Sequence, residues 1–182
     1  MFSHSGSLLI PSQNSSVRTI LIAGGSAYDR SSLLQAFRNV SLPNPVRLLE
    51  NGSEVIYCLA GSGVYADRTL FPFPILVVLD LDMPVAGGFD VLLWWKRWGN
   101  NPEIRFIVLT HSSNPEDVEK AKTLGAHAYR IKSGLPSDLL RFAVEIRDFW
   151  VGSRHASSDV DGSFCQTLIP LPFADSAALS LP

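Results

Sequence analysis

Three residues at the ends of apolar runs could do chemistry together. Asp80 follows Ile75-Leu-Val-Val-Leu79, Thr110 follows Ile107-Val-Leu, and Lys132 follows Ala128-Tyr-Arg-Ile. A carboxylate fixed on a rigid strand end can act as a nucleophile toward a phosphoryl group. A hydroxyl and an ammonium on neighbouring strands can then hold the new phosphoryl oxygens. Each residue has a plainer reading: a capping aspartate, a strand-end threonine, a lysine in a structural ion pair. Only their joint register favours the chemical one. Gly24-Gly25-Ser26 closes the first apolar run. As a phosphate loop it lacks both G-x-G-x-x-G and a P-loop lysine. His111 reads as an exposed loop histidine.

These residues need elements to position them, and the pattern supplies an alternation. Thr19–Ala23 is a short apolar run, and Asp29–Val40 carries Leu33, Leu34, Phe37 and Val40 at helical spacing. Val46–Leu49 reads as a strand and Ser53–Ala60 as a helix. Gly61–Pro74 is an irregular loop. The run Ile75–Leu79 suits a central parallel strand buried on both faces. Met83-Pro84 breaks it. Phe89–Trp98 is a helix closed by Gly99, with Trp95 and Trp98 inward and Leu93 and Trp94 further out. Ile104–Leu109 is a strand. Asn114-Pro115-Glu116 opens a helix with a capping residue, an early proline and an acid at its positive end. Ala126–Ile131 is a strand and Ser137–Trp150 the last helix. Strict alternation predicts an α/β fold, a doubly wound five-stranded parallel sheet of flavodoxin-like order, with chemistry at the carboxyl ends of the strands.

The 182 residues suit one domain with tails. We expect tails over 1–17 and 152–182 too polar and aperiodic to order, around a core of 18–151. With 46% hydrophobic and 18% charged residues, a sizeable core can form. A net charge of −2 without clustered Lys and Arg points away from nucleic acid and anionic membrane. No apolar stretch reaches the roughly 18 residues a membrane span needs. Cys58 and Cys165 match no zinc pattern and read as reduced thiols in the cytoplasm.

With these elements placed, the chain resembles the response-regulator receiver family. The resemblance rests on Ile75-Leu-Val-Val-Leu-Asp-Leu-Asp-Met-Pro84, Gly88-Phe89, Ile107-Val-Leu-Thr110 and Ala128-Tyr-Arg-Ile-Lys132, and spans Arg18–Trp150. The Tyr65-Ala-Asp-Arg loop, Ser133 and Phe149-Trp150 are similar to stand-alone receivers of the phytochrome-partner type. The resemblance implies that Asp80 is the phosphoacceptor, Thr110 the switch hydroxyl, Lys132 the phosphate-contacting lysine and Tyr129 the aromatic that moves with the switch. It also exposes a departure. Receivers carry two adjacent acids after the first strand, which hold Mg²⁺. Arg30 aligns with the family arginine six positions after the first acid, so Gly24 and Gly25 stand at the acidic positions, while Asp29 lies too far along. Asp80 and the backbone carbonyl of Asp82 remain, with the Asp82 side chain a partial substitute at best. Mg²⁺ favours octahedral oxygens including one or two carboxylates, so its binding should be weak or absent.

The expected function is therefore two-component phosphorelay signalling by a degenerate, non-enzymatic receiver. Its partner would be a sensor histidine kinase or another signalling protein. Leu139, Leu140, Phe142, Ala143, Ile146, Phe149 and Trp150 spread too widely around the last helix for one narrow face, which suggests a homodimer through the last strand and helix. The alternatives are a fully phosphorylatable receiver and, from another class, a flavodoxin-like small-ligand binder or enzyme using the Gly24-Gly25 loop.

Overall fold

The computed structural model describes residues 18–99 and 101–155, with backbone alone over 149–155. Five strands alternate with five helices: β1 (Ile20–Ala23), α1 (Ala27–Asn39), β2 (Val46–Leu49), α2 (Gly52–Ala60), β3 (Leu76–Leu79), α3 (Gly88–Trp98), β4 (Arg105–Thr110), α4 (Pro115–Thr123), β5 (Ala128–Ile131) and α5 (Pro136–His155). The strands form one parallel sheet in the order β2-β1-β3-β4-β5. The chain steps outward from β1 to β2 and returns on the other side as β3. The crevice above this reversal is where open α/β sheets place their sites.

Alternate strand residues point to opposite faces, and both faces are covered. Leu21, Val77, Leu79, Phe106 and Val108 pack against Val55, Leu59, Val91 and Leu92. Ile20, Ile22, Leu76, Val78, Ile107 and Leu109 pack against Leu33, Phe37, Phe142 and Ile146. This double burial explains why the strands read as unbroken apolar runs rather than alternating ones. The helix boundaries follow local chemistry. The Ser26 side chain accepts from Asp29 N at the start of α1, and the Asn114 side chain accepts from Glu116 N ahead of Pro115 in α4. Gly61 ends α2 at φ +67°, a left-handed turn that favours glycine.

Three expectations need correction. Trp98 is 66% exposed, because the last turn of α3 is uncovered and Lys96 and Arg97 are exposed with it. Trp94 is half-buried against the core instead of further out, beside Trp95, whose ring lies 5.5 Å from Phe106. The last helix runs to His155, past the end expected at Trp150. The expected tails at 1–17 and beyond 155 and the second cysteine, Cys165, lie outside the described residues. Cys58 is buried and unpaired, and burial pushes its thiol pKa up. No described helix is long and apolar enough to cross a membrane.

The sheet also sets a pH dependence far from the strand ends. His127 precedes β5, with Nδ1 accepting from Phe106 N at 3.1 Å and Nε2 3.1 Å from the Arg105 guanidinium. Desolvation of the ring and the Arg105 charge bring its pKa down to about 4. The unfolded chain thus takes up this proton more readily than the folded one. Stability should climb as pH rises from about 4 to 6.5 and gain nothing further from this group above that. Urea melts across this range should show a shallower slope for His127→Gln; an unchanged slope contradicts the assignment.

Candidate functional site at the strand ends

Register brings the site together. Ala23 pairs with Leu79, and Asp80 N donates to Ala23 O at 2.9 Å, which sets Gly24 beside Asp80. Thr110 pairs with Ile131, and Lys132 N donates to Thr110 O at 2.7 Å. Asp80, Thr110 and Lys132 thus stand on three adjacent strands at one end of the sheet. Thr110 is fully buried, and its Oγ1 accepts from Ser112 N at 3.3 Å.

The Asp80 carboxylate is engaged on both oxygens. Oδ1 accepts from Asp82 N at 3.3 Å, and Oδ2 accepts from Lys132 Nζ at 2.5 Å. The two side chains are 8% and 9% exposed, so this is a buried ion pair. Lys132 Nζ also donates to Asp29 Oδ2 at 2.7 Å. Burial alone would pull the lysine pKa down, but the two carboxylates more than reverse it and raise it above 10.5. Partial burial of Asp29 opposes ionisation, yet Lys132 holds its pKa below 3.8, with smaller help from His111 and Ser26. His111 is exposed, as expected, with Nε2 3.7 Å from Asp29 Oδ2.

Asp29 stands in the first turn of α1, beyond the positions of Gly24 and Gly25, and it reaches the site through Lys132. Helical Cα–Cβ bonds tilt toward the N-terminus, so a first-turn acid reaches back over the strand ends. The Asp29–Lys132 contact joins residues 103 apart in sequence, and no local pattern signals it. Arg30 served only to fix the alignment. Its guanidinium is buried, donating to Gly24 O at 2.5 Å and Glu50 Oε1 at 3.0 Å. It therefore braces the loop in which the glycines stand.

Neither Gly24 nor Gly25 has a left-handed backbone, so each φ could accommodate a side chain. A Cβ on Gly24 would lie 3.5 Å from Asp80 Cβ, an ordinary contact. One on Gly25 would lie 3.1 Å from Asp82 O and 3.2 Å from Pro84 Cδ, close enough to require a small shift of the loop. Asp82 is exposed. Among the described residues, no three His, Cys, Asp or Glu side chains gather where a metal ion could be held. Asp80 and Asp29 are instead bridged by an ammonium. This donor set does not fit a divalent cation.

Tyr129 is half-buried against the core, and its hydroxyl donates to Ser112 O at 3.0 Å. Burial raises its pKa, and the acids Asp117, Asp82 and Asp80 add to the rise. Ser112 Oγ donates to Asp117 Oδ2 at 2.5 Å, tying the loop after Thr110 to α4. On the other side of the site, Val85 is 87% exposed at φ +68°. A β-branched residue is strained there. Replacing Val85 with Gly should stabilise the fold by about 1 kcal/mol, the relief of strain exceeding the entropy cost of glycine. A lower urea midpoint for Val85→Gly would refute this.

The same fold recurs among known proteins. No family model matches the chain. Response regulator Rcp1 of Synechocystis is 28% identical over 134 residues, covering 74% of this chain and 89% of its own length. The probable methanogenesis regulatory protein FilR2 of Methanothrix harundinacea is 30% identical over 123 residues, 66% of this chain and 75% of its own. Among solved structures, the phosphorylated cyanobacterial phytochrome response regulator RcpA superposes with a TM-score of 0.67 at 27% identity, over 76% of this chain and 96% of that one. The Mn²⁺-bound form of Rcp1 gives 0.63 at 29%, over 73% and 94%. A five-stranded parallel sheet with a carboxylate, a hydroxyl and an ammonium on adjacent strand ends defines a class, the flavodoxin-like signalling domains. Within that class the chain belongs to the response-regulator receiver family of two-component signalling.

Proposed function

We propose that this receiver acts mainly through protein contact, with Mg²⁺-dependent phosphorylation of Asp80 weak or absent. One observation carries the reading. Where a metal would need carboxylates from β1 the chain has Gly24 and Gly25, and the nearest cation to Asp80 is Lys132. In this reading Asp80 is the phosphoacceptor position, and Lys132 and Thr110 are the groups placed to hold a phosphoryl oxygen. Tyr129, bonded to Ser112 O, is the aromatic that would register a change at Thr110.

The partner proposed is a sensor histidine kinase or a related signalling protein in the cytoplasm. The support is that RcpA is a phytochrome response regulator and that a response regulator in R. palustris red light signalling superposes with a TM-score of 0.69 at 26% identity, over 75% of this chain and 96% of that one. Self-association through β5 and α5 is retained as part of the proposal. Among the described side chains, Phe142, Ala143 and Ile146 are buried and Ile131, Leu135 and Leu140 are exposed, while those of Phe149 and Trp150 lie outside the described residues.

The test is incubation with beryllofluoride and Mg²⁺, read by NMR shifts around Asp80 and Thr110. Little change at millimolar Mg²⁺ is expected. Saturable shifts with near-stoichiometric ligand would make this an ordinary phosphorylatable receiver.

A further inference from the structure

An ammonium has three N–H donors. In Lys132 two are spent on carboxylates, Asp80 from β3 and Asp29 from α1. The second carboxylate is not equivalent to the first. Its side chain is 30% exposed against 9% for the lysine. Asp29 and Lys132, with His111, line a cleft of about 420 Å³ between α1, β5 and the start of α5, which Asp80 does not line. Asp29 thus takes Lys132 from the open side while Asp80 takes it from the sheet.

Resting on the receiver reading above, we propose that Asp29 is a positioning residue that restrains phosphoryl transfer, its carboxylate filling the place at Lys132 that a phosphoryl oxygen on Asp80 would take. In the transfer an oxygen of Asp80 attacks the phosphorus of an acyl phosphate. The bond from phosphorus to the acyl oxygen breaks, and that oxygen leaves with the electron pair as a free carboxylate. No proton is gained or lost, so the transferred group brings its negative charge into the site. The donor set does not fit a divalent cation, so Lys132 is the cation at hand to meet that charge. Asp29 already holds part of it and repels the newcomer. Asp29→Asn keeps the size of the side chain and removes the charge.

The experiment uses the full chain with acetyl phosphate, with and without Mg²⁺, and follows the mass of one added phosphoryl group; Asp80→Asn is the blank. Asp29→Asn should raise the initial uptake about tenfold under both conditions. Asp29→Glu, which restores a carboxylate, should stay near the parent. A second readout needs no transfer: the reactivity of Lys132 toward an amine-acylating reagent, mapped by peptide mass spectrometry, should rise severalfold in Asp29→Asn alone. Equal or lower uptake by Asp29→Asn, no uptake by either protein, or unchanged Lys132 reactivity overturns the proposal. Strongly Mg²⁺-dependent uptake by the parent would overturn the weak-metal reading instead, and the ratio of Asp29→Asn to parent would still decide the role of Asp29.

Discussion

Gly24→Glu combined with Gly25→Asp should raise the affinity for Mg²⁺ and make its binding saturable at millimolar concentration. The expected gain is on the order of a hundredfold in affinity, from two added oxygen ligands beside Asp80. Steric cost falls unevenly. The Gly24 position has ordinary contact distances, whereas a side chain at Gly25 must push Asp82 O or Pro84 back by a few tenths of an ångström. The electrostatic cost is larger. Two new carboxylates would join Asp80 and Asp29 around one ammonium, and like charges at such range destabilise the fold without metal. In EDTA the double variant should lose about 1–3 kcal/mol. Mg²⁺ at a hundredfold excess over its Kd should return roughly 2.7 kcal/mol through linkage. Titration calorimetry measures the first effect, and urea melts with and without Mg²⁺ measure the second. Flat heats together with identical melts for parent and variant would show that the glycines are not what limits the site.

Removing the lysine should produce the largest loss of stability. Lys132→Met leaves Asp80 buried and Asp29 half-buried without their shared cation. Breaking a buried pair from one side typically costs about 3–5 kcal/mol. Most of that should return in the double variant Lys132→Met with Asp80→Asn, which removes the stranded charge as well; a double-mutant cycle isolates the coupling. The pH dependence has a definite sign. Asp29 is held below 3.8 in the folded chain, so its contribution is present above that value and lost as pH falls through the folded pKa. Lys132 is held above 10.5, so its contribution is present below that value and lost as pH rises through the folded pKa. The parent therefore draws on the Asp29–Lys132 pair across the whole range between. A deficit under 1 kcal/mol at pH 7, or one unchanged by Asp80→Asn, would mean that water screens these carboxylates despite their burial.

The balance of charge at this site connects the two results. In each, a cation must sit between carboxylates at the strand ends; they differ in which cation that is. A metal ion suits a site with several oxygen donors, and an ammonium suits one with two. In the proposed reading, glycines at 24 and 25 favour the second kind, with Asp29 and Asp80 sharing Lys132.

Much of this was legible in the sequence. The run Ile75–Leu79 could be read as a central strand because an element covered on both faces needs apolar residues at every position, not at every second one. Asn114-Pro115 announced α4 because capping chemistry is local. Asp80, Thr110 and Lys132 were legible because each ends or directly follows an apolar run, and parallel strands in this order end side by side. Trp98 was misjudged for the converse reason. Helical spacing names a face, but whether the last turn of that face is covered depends on how far the neighbouring elements extend. Leu93 and Trp98 are exposed while Trp94 and Trp95 pack inward.

The sequence by itself determined which side chains stand at the strand ends, and that none of those at 24 and 25 is a carboxylate. These are facts of residue type and short-range order. Only the tertiary structure decided which groups share the Lys132 ammonium. That choice depends on the register of β4 with β5, on how α1 sits across the sheet, and on a first-turn side chain leaning back over the strand ends. Asp29 and Lys132 meet across 103 positions, and electrostatic pairing at that separation is set by packing, because charge attracts through space and not along the chain.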